Sequence, residues 1–167
     1  ERARIACEDR VRGSRARTAT AAPSARGSWK KASGTPYSRP VTPARWLSTT
    51  AQWHLWDRYA NPSAVGGACN PHSWSNSPPA GMSWQGMCYT PDHAQAAQMW
   101  GKPGQVSAGV YSGHGYELTA DCGCTMTATQ ALLQWRGSPG HNAVILQQGQ
   151  WAGVQFTGIG VGITDGL

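Results

Sequence analysis

Cationic side chains all but stop after Arg45. Only Arg58, Lys102 and Arg136 follow it, whereas 11 of the 14 Lys and Arg residues fall in the first 45 positions beside three acids, Glu1, Glu8 and Asp9. The leading segment thus carries a net +8 and the rest −2, so a basic nucleic-acid or anionic-membrane surface has no place beyond that segment. Large apolar residues are scarce in the segment too. A basic, Ala/Ser/Arg/Thr-rich stretch cannot bury enough surface to offset the entropy of ordering it, so residues 1–46 are expected to be a disordered tail or leader. Such a tail can hold nucleic acid or anionic lipid through counterion release or surface potential. Without aromatic interleaving or a recognised motif it reads as a solvated leader or linker, with no specific nucleic-acid partner. Also missing is an apolar run of signal-peptide or membrane-spanning length, so no transmembrane segment is expected. The remaining residues, 47–167, are close to the common size of one domain. Glutamate is the last scarcity: Glu117 is the only one in that domain.

Punctuation by turn residues divides the domain into elements. Ser48 reads as the cap of a first helix through TTAQWHLWDRYA, with Trp53, Trp56 and Ala60 on one stripe, Leu55 and Tyr59 alongside, and Asn61-Pro62 as its stop. Residues 64–88 are rich in Gly, Pro, Ser and Asn with Trp and Met between, the composition of a long ordered loop held by side-chain packing and a disulfide. Thr90-Pro91-Asp92 supplies a cap, a first-turn proline and a dipole-matched acid for a second helix reaching Trp100 and Gly101, with Pro103 beyond. QVSAGVYSGHGYELTA suits a short strand and a tight loop. A third helix is expected from Ala128 to Arg136, ended by Gly137, and then Ser138-Pro139 opens another. The last stretch, with Phe156, Ile159, Val161 and Ile163 between glycines, reads as a strand pair or a bent strand. Helices flanking a small sheet make the fold class α+β.

Five cysteines are present, Cys7 in the tail and Cys69, Cys88, Cys122 and Cys124 in the domain. Four in so short a domain point to an oxidising compartment, hence to a secreted or extracellular protein. Cys122 and Cys124 are too close for an easy mutual bridge, so Cys69 with Cys88 is the simplest pairing; the other two pair elsewhere or remain free. A soft metal site from Cys122, Cys124 and His114 is a weaker reading, since the spacing fits no common zinc pattern.

Histidine supplies the chemistry. In SPGHNAVIL, His141 rides the first turn of its helix, where exposed amides and the positive dipole end disfavour the imidazolium, leaving a neutral donor or metal ligand. Two other segments, CNPHSWS (Cys69–Ser75) and GHGYELTA (Gly113–Ala120), carry His72 and Glu117. With W..SPGHNAVIL and the terminal GVGI, these three in this order resemble the CAP superfamily of cysteine-rich secretory proteins, plant pathogenesis-related proteins, venom antigens and bacterial SCP-like domains. The resemblance covers residues 48–163. It implies a CAP-like α-β-α sandwich, incomplete at the N-terminus and in the last strand, because the family's opening helix has no counterpart in residues 1–46. It also implies a cleft in which His72 and His141 hold a divalent metal such as Zn2+, with Glu117 as the neighbouring acid or the group that orients one imidazole.

One member of the family's acidic pair is absent: the second glutamate of eukaryotic members falls on Ser138, as in many bacterial relatives. A hydroxyl is no general base at neutral pH, so a two-carboxylate hydrolysis is weakened. Ser138 reads as a helix cap before it reads as a nucleophile. His54 and His93 read as ordinary packed or surface histidines, His114 as the better residue to support Glu117, and the tryptophans as core or loop anchors, with a stacking platform of Trp74 and Trp84 the minority reading. Three functions stand open. The first is a secreted binding module for a lipid, sterol or glycan with a metal-capable cleft. The second is a metal-dependent, peptidase-like hydrolase with His72, His141 and Glu117 as its catalytic residues, and the third a cell-surface interaction domain with a vestigial cleft.

Overall fold

The computed structural model of the chain describes residues 2–9, 41–122 and 126–164, the first stretch as backbone alone. Four strands, β1 (Arg2–Asp9), β2 (Thr42–Pro43), β3 (Gly115–Ala120) and β4 (Phe156–Thr164), form one sheet in the order β2-β4-β1-β3. β1 runs antiparallel to both neighbours, with Ile5 opposite Leu118 on one side and Val161 on the other, while β2 runs parallel to β4. Around the sheet lie α1 (Arg45–Ala60), α2 (Ala96–Trp100), α3 (Lys102–Val106), α4 (Ala128–Gly137) and α5 (Pro139–Leu146). The protein is a mixed α+β fold. Among the described residues no helix is long and apolar enough to cross a membrane.

The disordered tail expected over residues 1–46 does not hold at either end. Arg2–Asp9 is an interior strand of the sheet, and α1 begins at Arg45, inside the expected tail. Charge and low hydropathy misread the strand, because pairing on both sides satisfies its backbone whatever its side chains are. Residues 10–40 lie outside the described residues.

Glycine determines how α1 meets the sheet. A Cβ on Gly160 would stand 2.2 Å from the backbone of Leu47 and Ser48, and one on Gly162 would stand 2.6 Å from that of Ala51 and Gln52. The alternate glycines of β4 therefore form a bare track on which the helix backbone rests. The face so buried carries Leu47, Thr50, Ala51, His54, Leu55 and Asp57. This corrects the expected stripe: Trp53 and Trp56 flank that face, and Tyr59 and Ala60 are exposed. Ser48 is not the cap either. Ala44 holds that position, donating its N–H to Ile159 O at 2.8 Å, while Ser48 Oγ accepts from Val161 N at 3.3 Å.

Alternation along β3 divides the interior. Tyr116, Leu118 and Ala120 pack with Ala131 and Trp135 of α4, Val144 of α5 and Phe156 in one apolar core. Glu117 points the other way, toward α1, where it meets His54. A second core gathers Trp74, Trp84, Met87, Tyr89, Met99 and Val106, with Trp53 and Trp56 against it. It holds the long loop, which a Cys69–Cys88 disulfide closes and an antiparallel bridge between Trp74 and Met87 ties across.

The expected second helix breaks in two. His93 adopts a positive φ of 60°, and Gln95 Oε1 takes the Thr90 N–H, so residues 90–95 form a capped turn and helix begins only at Ala96. Pro103 lies in the first turn of α3 rather than beyond a helix end. Thr127 and Gln130 form a capping box on α4. Ser138 occupies the N-cap position of α5 but makes no side-chain cap bond. The last segment is one continuous strand, with its register shift opposite Glu8 and Asp9.

Candidate functional site

His72, Glu117 and His141, far apart in sequence, line a single cavity of about 580 Å³. Its walls include Tyr89, Trp100 and Trp151, and Tyr116 meets Trp100 and Trp151 edge-on at ring-centroid distances of 5.2 and 5.0 Å. Among the described residues no Lys or Arg lines it.

The floor is built from α1 outward. His54 and Asp57 lie one turn apart on the buried face and both grip the segment that carries His72. Fully buried Asp57 accepts from Ser75 N at 2.8 Å and from Ser75 Oγ at 2.5 Å, and His54 Nε2 meets Ser73 O at 2.7 Å. Asn70 Oδ1 accepts the His72 N–H at 2.9 Å, an Asx-type turn that aims the following ring. Ser73 Oγ accepts from Tyr89 N, and Asn70 N donates to Tyr89 O, so the loop is stitched on its far side as well.

Glu117 is held between two imidazoles. Its Oε1 lies 2.6 Å from His54 Nδ1 and its Oε2 lies 2.7 Å from His72 Nδ1. His54 is the packed histidine of the two expected alternatives, with no exposed area and its ring stacked on Trp74 at 4.1 Å and 17°, and it adds a contact to Glu117 that the sequence does not show. The signal that could have singled it out is helical spacing: Leu47, Ala51, His54 and Asp57 share one stripe, and a histidine and an acid on an otherwise small and apolar face need partners.

His141 enters from the first turn of α5, as expected. Its Nδ1 is buried and has no hydrogen-bond partner among the described residues. Burial, and secondarily the neighbouring His72, push its pKa below the ordinary histidine value, which keeps it neutral with a lone pair to offer. At the cavity wall Tyr89 Oη lies 3.0 Å from His93 Nδ1, and burial, then Glu117 and Asp92, raise the phenol's pKa so that it stays protonated.

Other candidates fall away. Trp74 and Trp84 are buried, 3% and 6% exposed, so they form no stacking platform for a ligand. His114 is exposed against Trp100 and Tyr116, and the support of Glu117 that it was expected to give comes from His54. Cys122 is disulfide-bonded, which removes its thiolate from the soft-metal reading; Cys124 lies outside the described residues. Among the described residues no three His, Cys, Asp or Glu side chains are grouped to hold an ion. His72 and His141 both line the cavity.

No protein-family model, curated protein or solved structure matches the chain.

Proposed function

We propose that this chain is a CAP-like α-β-α sandwich acting as a secreted binding module, whose cleft takes a divalent metal on His72 and His141 and a lipid, sterol or glycan against its aromatic walls. The observation that carries the reading is the convergence of His72, Glu117 and His141 on one cavity. The donor set suits zinc: His141 is kept neutral, and His72 gives Nδ1 to a carboxylate, the usual support for a metal-binding imidazole, leaving Nε2 as its ligating nitrogen. When bound, zinc supplies a Lewis acid that can hold an oxygen of the ligand. Binding is favoured over hydrolysis because both oxygens of Glu117 are engaged by imidazole nitrogens, which is a poor posture for a general base. The Cys69–Cys88 disulfide is compatible with an extracellular setting.

Calorimetric titration with Zn2+ tests this. The wild-type chain is expected to bind one equivalent, and His72→Ala and His141→Ala each to weaken binding about 10-fold or more. No heat of binding in the wild type would remove the metal from the proposal.

A further inference from the structure

We propose that His54 is a positioning residue of this cavity: locked by Ser73 O, it holds Glu117 so that Oε2 fixes His72 as the Nδ1–H tautomer and turns a bare Nε2 toward the ligand. The inference rests on the reading above only in taking the cavity as the functional site.

Hydrogen-bond bookkeeping carries it. A carbonyl oxygen can only accept, so His54 Nε2, 2.7 Å from Ser73 O, must bear a hydrogen. The other nitrogen, Nδ1, lies 2.6 Å from Glu117 Oε1, and a hydrogen must stand between them. Whether nitrogen or oxygen owns it, His54 and Glu117 together hold one proton more than a neutral imidazole and a carboxylate, and the pair is uncharged as a unit. In both arrangements Oε2 remains an acceptor. It therefore takes the hydrogen of His72 Nδ1 at 2.7 Å, and the lone pair of His72 is left on Nε2. Burial makes the arrangement rigid, since His54 is fully enclosed and lies flat on Trp74, whose own face is 5.3 Å from Lys102 Nζ. Without the hydrogen at His54, Glu117 would lose the contact that fixes Oε1, and with it the constraint that His54 places on the turn of Oε2 toward His72.

The test is long-range proton–nitrogen NMR of the full chain labelled on histidine, at an alkaline pH where free imidazoles are neutral. In the wild type, His72 is expected to show a protonated Nδ1 and an unprotonated Nε2, and His54 a protonated Nε2 with a hydrogen-bonded proton at Nδ1. In His54→Phe, which keeps a ring against Trp74, His72 is expected to lose its single tautomer and show a mixture. His54→Gln, whose amide can donate to Glu117, should restore it. A wild-type His72 carrying its hydrogen on Nε2 overturns the proposal, as does a single Nδ1–H tautomer retained in His54→Phe. The wild-type spectrum decides even if the phenylalanine variant does not fold. Zinc titration is a separate readout: tautomers as expected without zinc binding leave His54's role standing and remove only the metal.

Discussion

Lys102 is the one lysine beyond the leading segment, and its side chain is buried. Its Nζ donates to Gln85 O and, at 3.3 Å, to Gln105 Oε1, and it faces the Trp74 ring. Desolvation lowers its pKa from 10.5 to about 8, with Asp57 opposing the change. Between those values the unfolded chain binds more protons than the folded one, so stability rises with pH across the window; it is greatest above 10.5 and falls as the pH drops through 8. At about 1.4 kcal/mol per unit of displacement the gain is on the order of 3–4 kcal/mol. Urea midpoints followed across that window should climb in the wild type more than in Lys102→Met, which has no charge to lose. Equal slopes in the two proteins would mean that the ammonium is solvated. Raising of the Tyr89 pKa acts in the opposite sense above pH 10, but it is common to both proteins and cancels in the comparison.

At the scale of elements, the closest fit is α1 on β4. Gly160→Ala would press a methyl into the backbone of Leu47 and Ser48, atoms that cannot rotate aside as a side chain can. Overpacking costs typically about 1–3 kcal/mol, and a backbone obstacle places this substitution at the upper end or beyond. A denaturant titration should show that loss, whereas Gly153→Ala, where the added methyl meets nothing within 4 Å, should leave the midpoint nearly unchanged. This pair of elements also shows what the sequence made legible. The helix, its stop at Asn61-Pro62 and a glycine-spaced terminal strand were readable from local chemistry, as were the β3 strand, the helix of residues 128–137 and the Cys69–Cys88 bridge. The buried face of α1 was not. Tryptophans dominate any hydrophobic reading of TTAQWHLWDRYA, and only the bare glycine track, remote in sequence, makes the small face with His54 the inward one. Likewise His72, Glu117 and His141 stood out by motif, while the group that holds Glu117 in place could be found only through contacts across 63 residues. The turn at residues 90–95 misled for a different reason: its cap residues are those of a helix start, and the left-handed backbone of His93 undoes the continuation.

For the whole molecule the decisive feature is β1. It lies between β3 and β4, so the two strands that bear Glu117 and the glycine track each pair with it and not with each other. A chain starting at Val41 would leave β3 without its sheet neighbour and β4 with only the two residues of β2 beside it. Unpaired backbone on that scale, in a domain whose cores lie against those strands, exceeds the roughly 4–5 kcal/mol of the most damaging single substitutions and is comparable with total stability. Residues 41–167 expressed alone are therefore expected to lack a cooperative urea transition, and a peptide of residues 1–10 added in excess should restore part of it by re-entering between β3 and β4. Had the leading segment been only a solvated tail, its removal would leave the midpoint unchanged. That outcome, in a fragment that still binds at the cavity, would show that β3 and β4 hold their places without the strand between them.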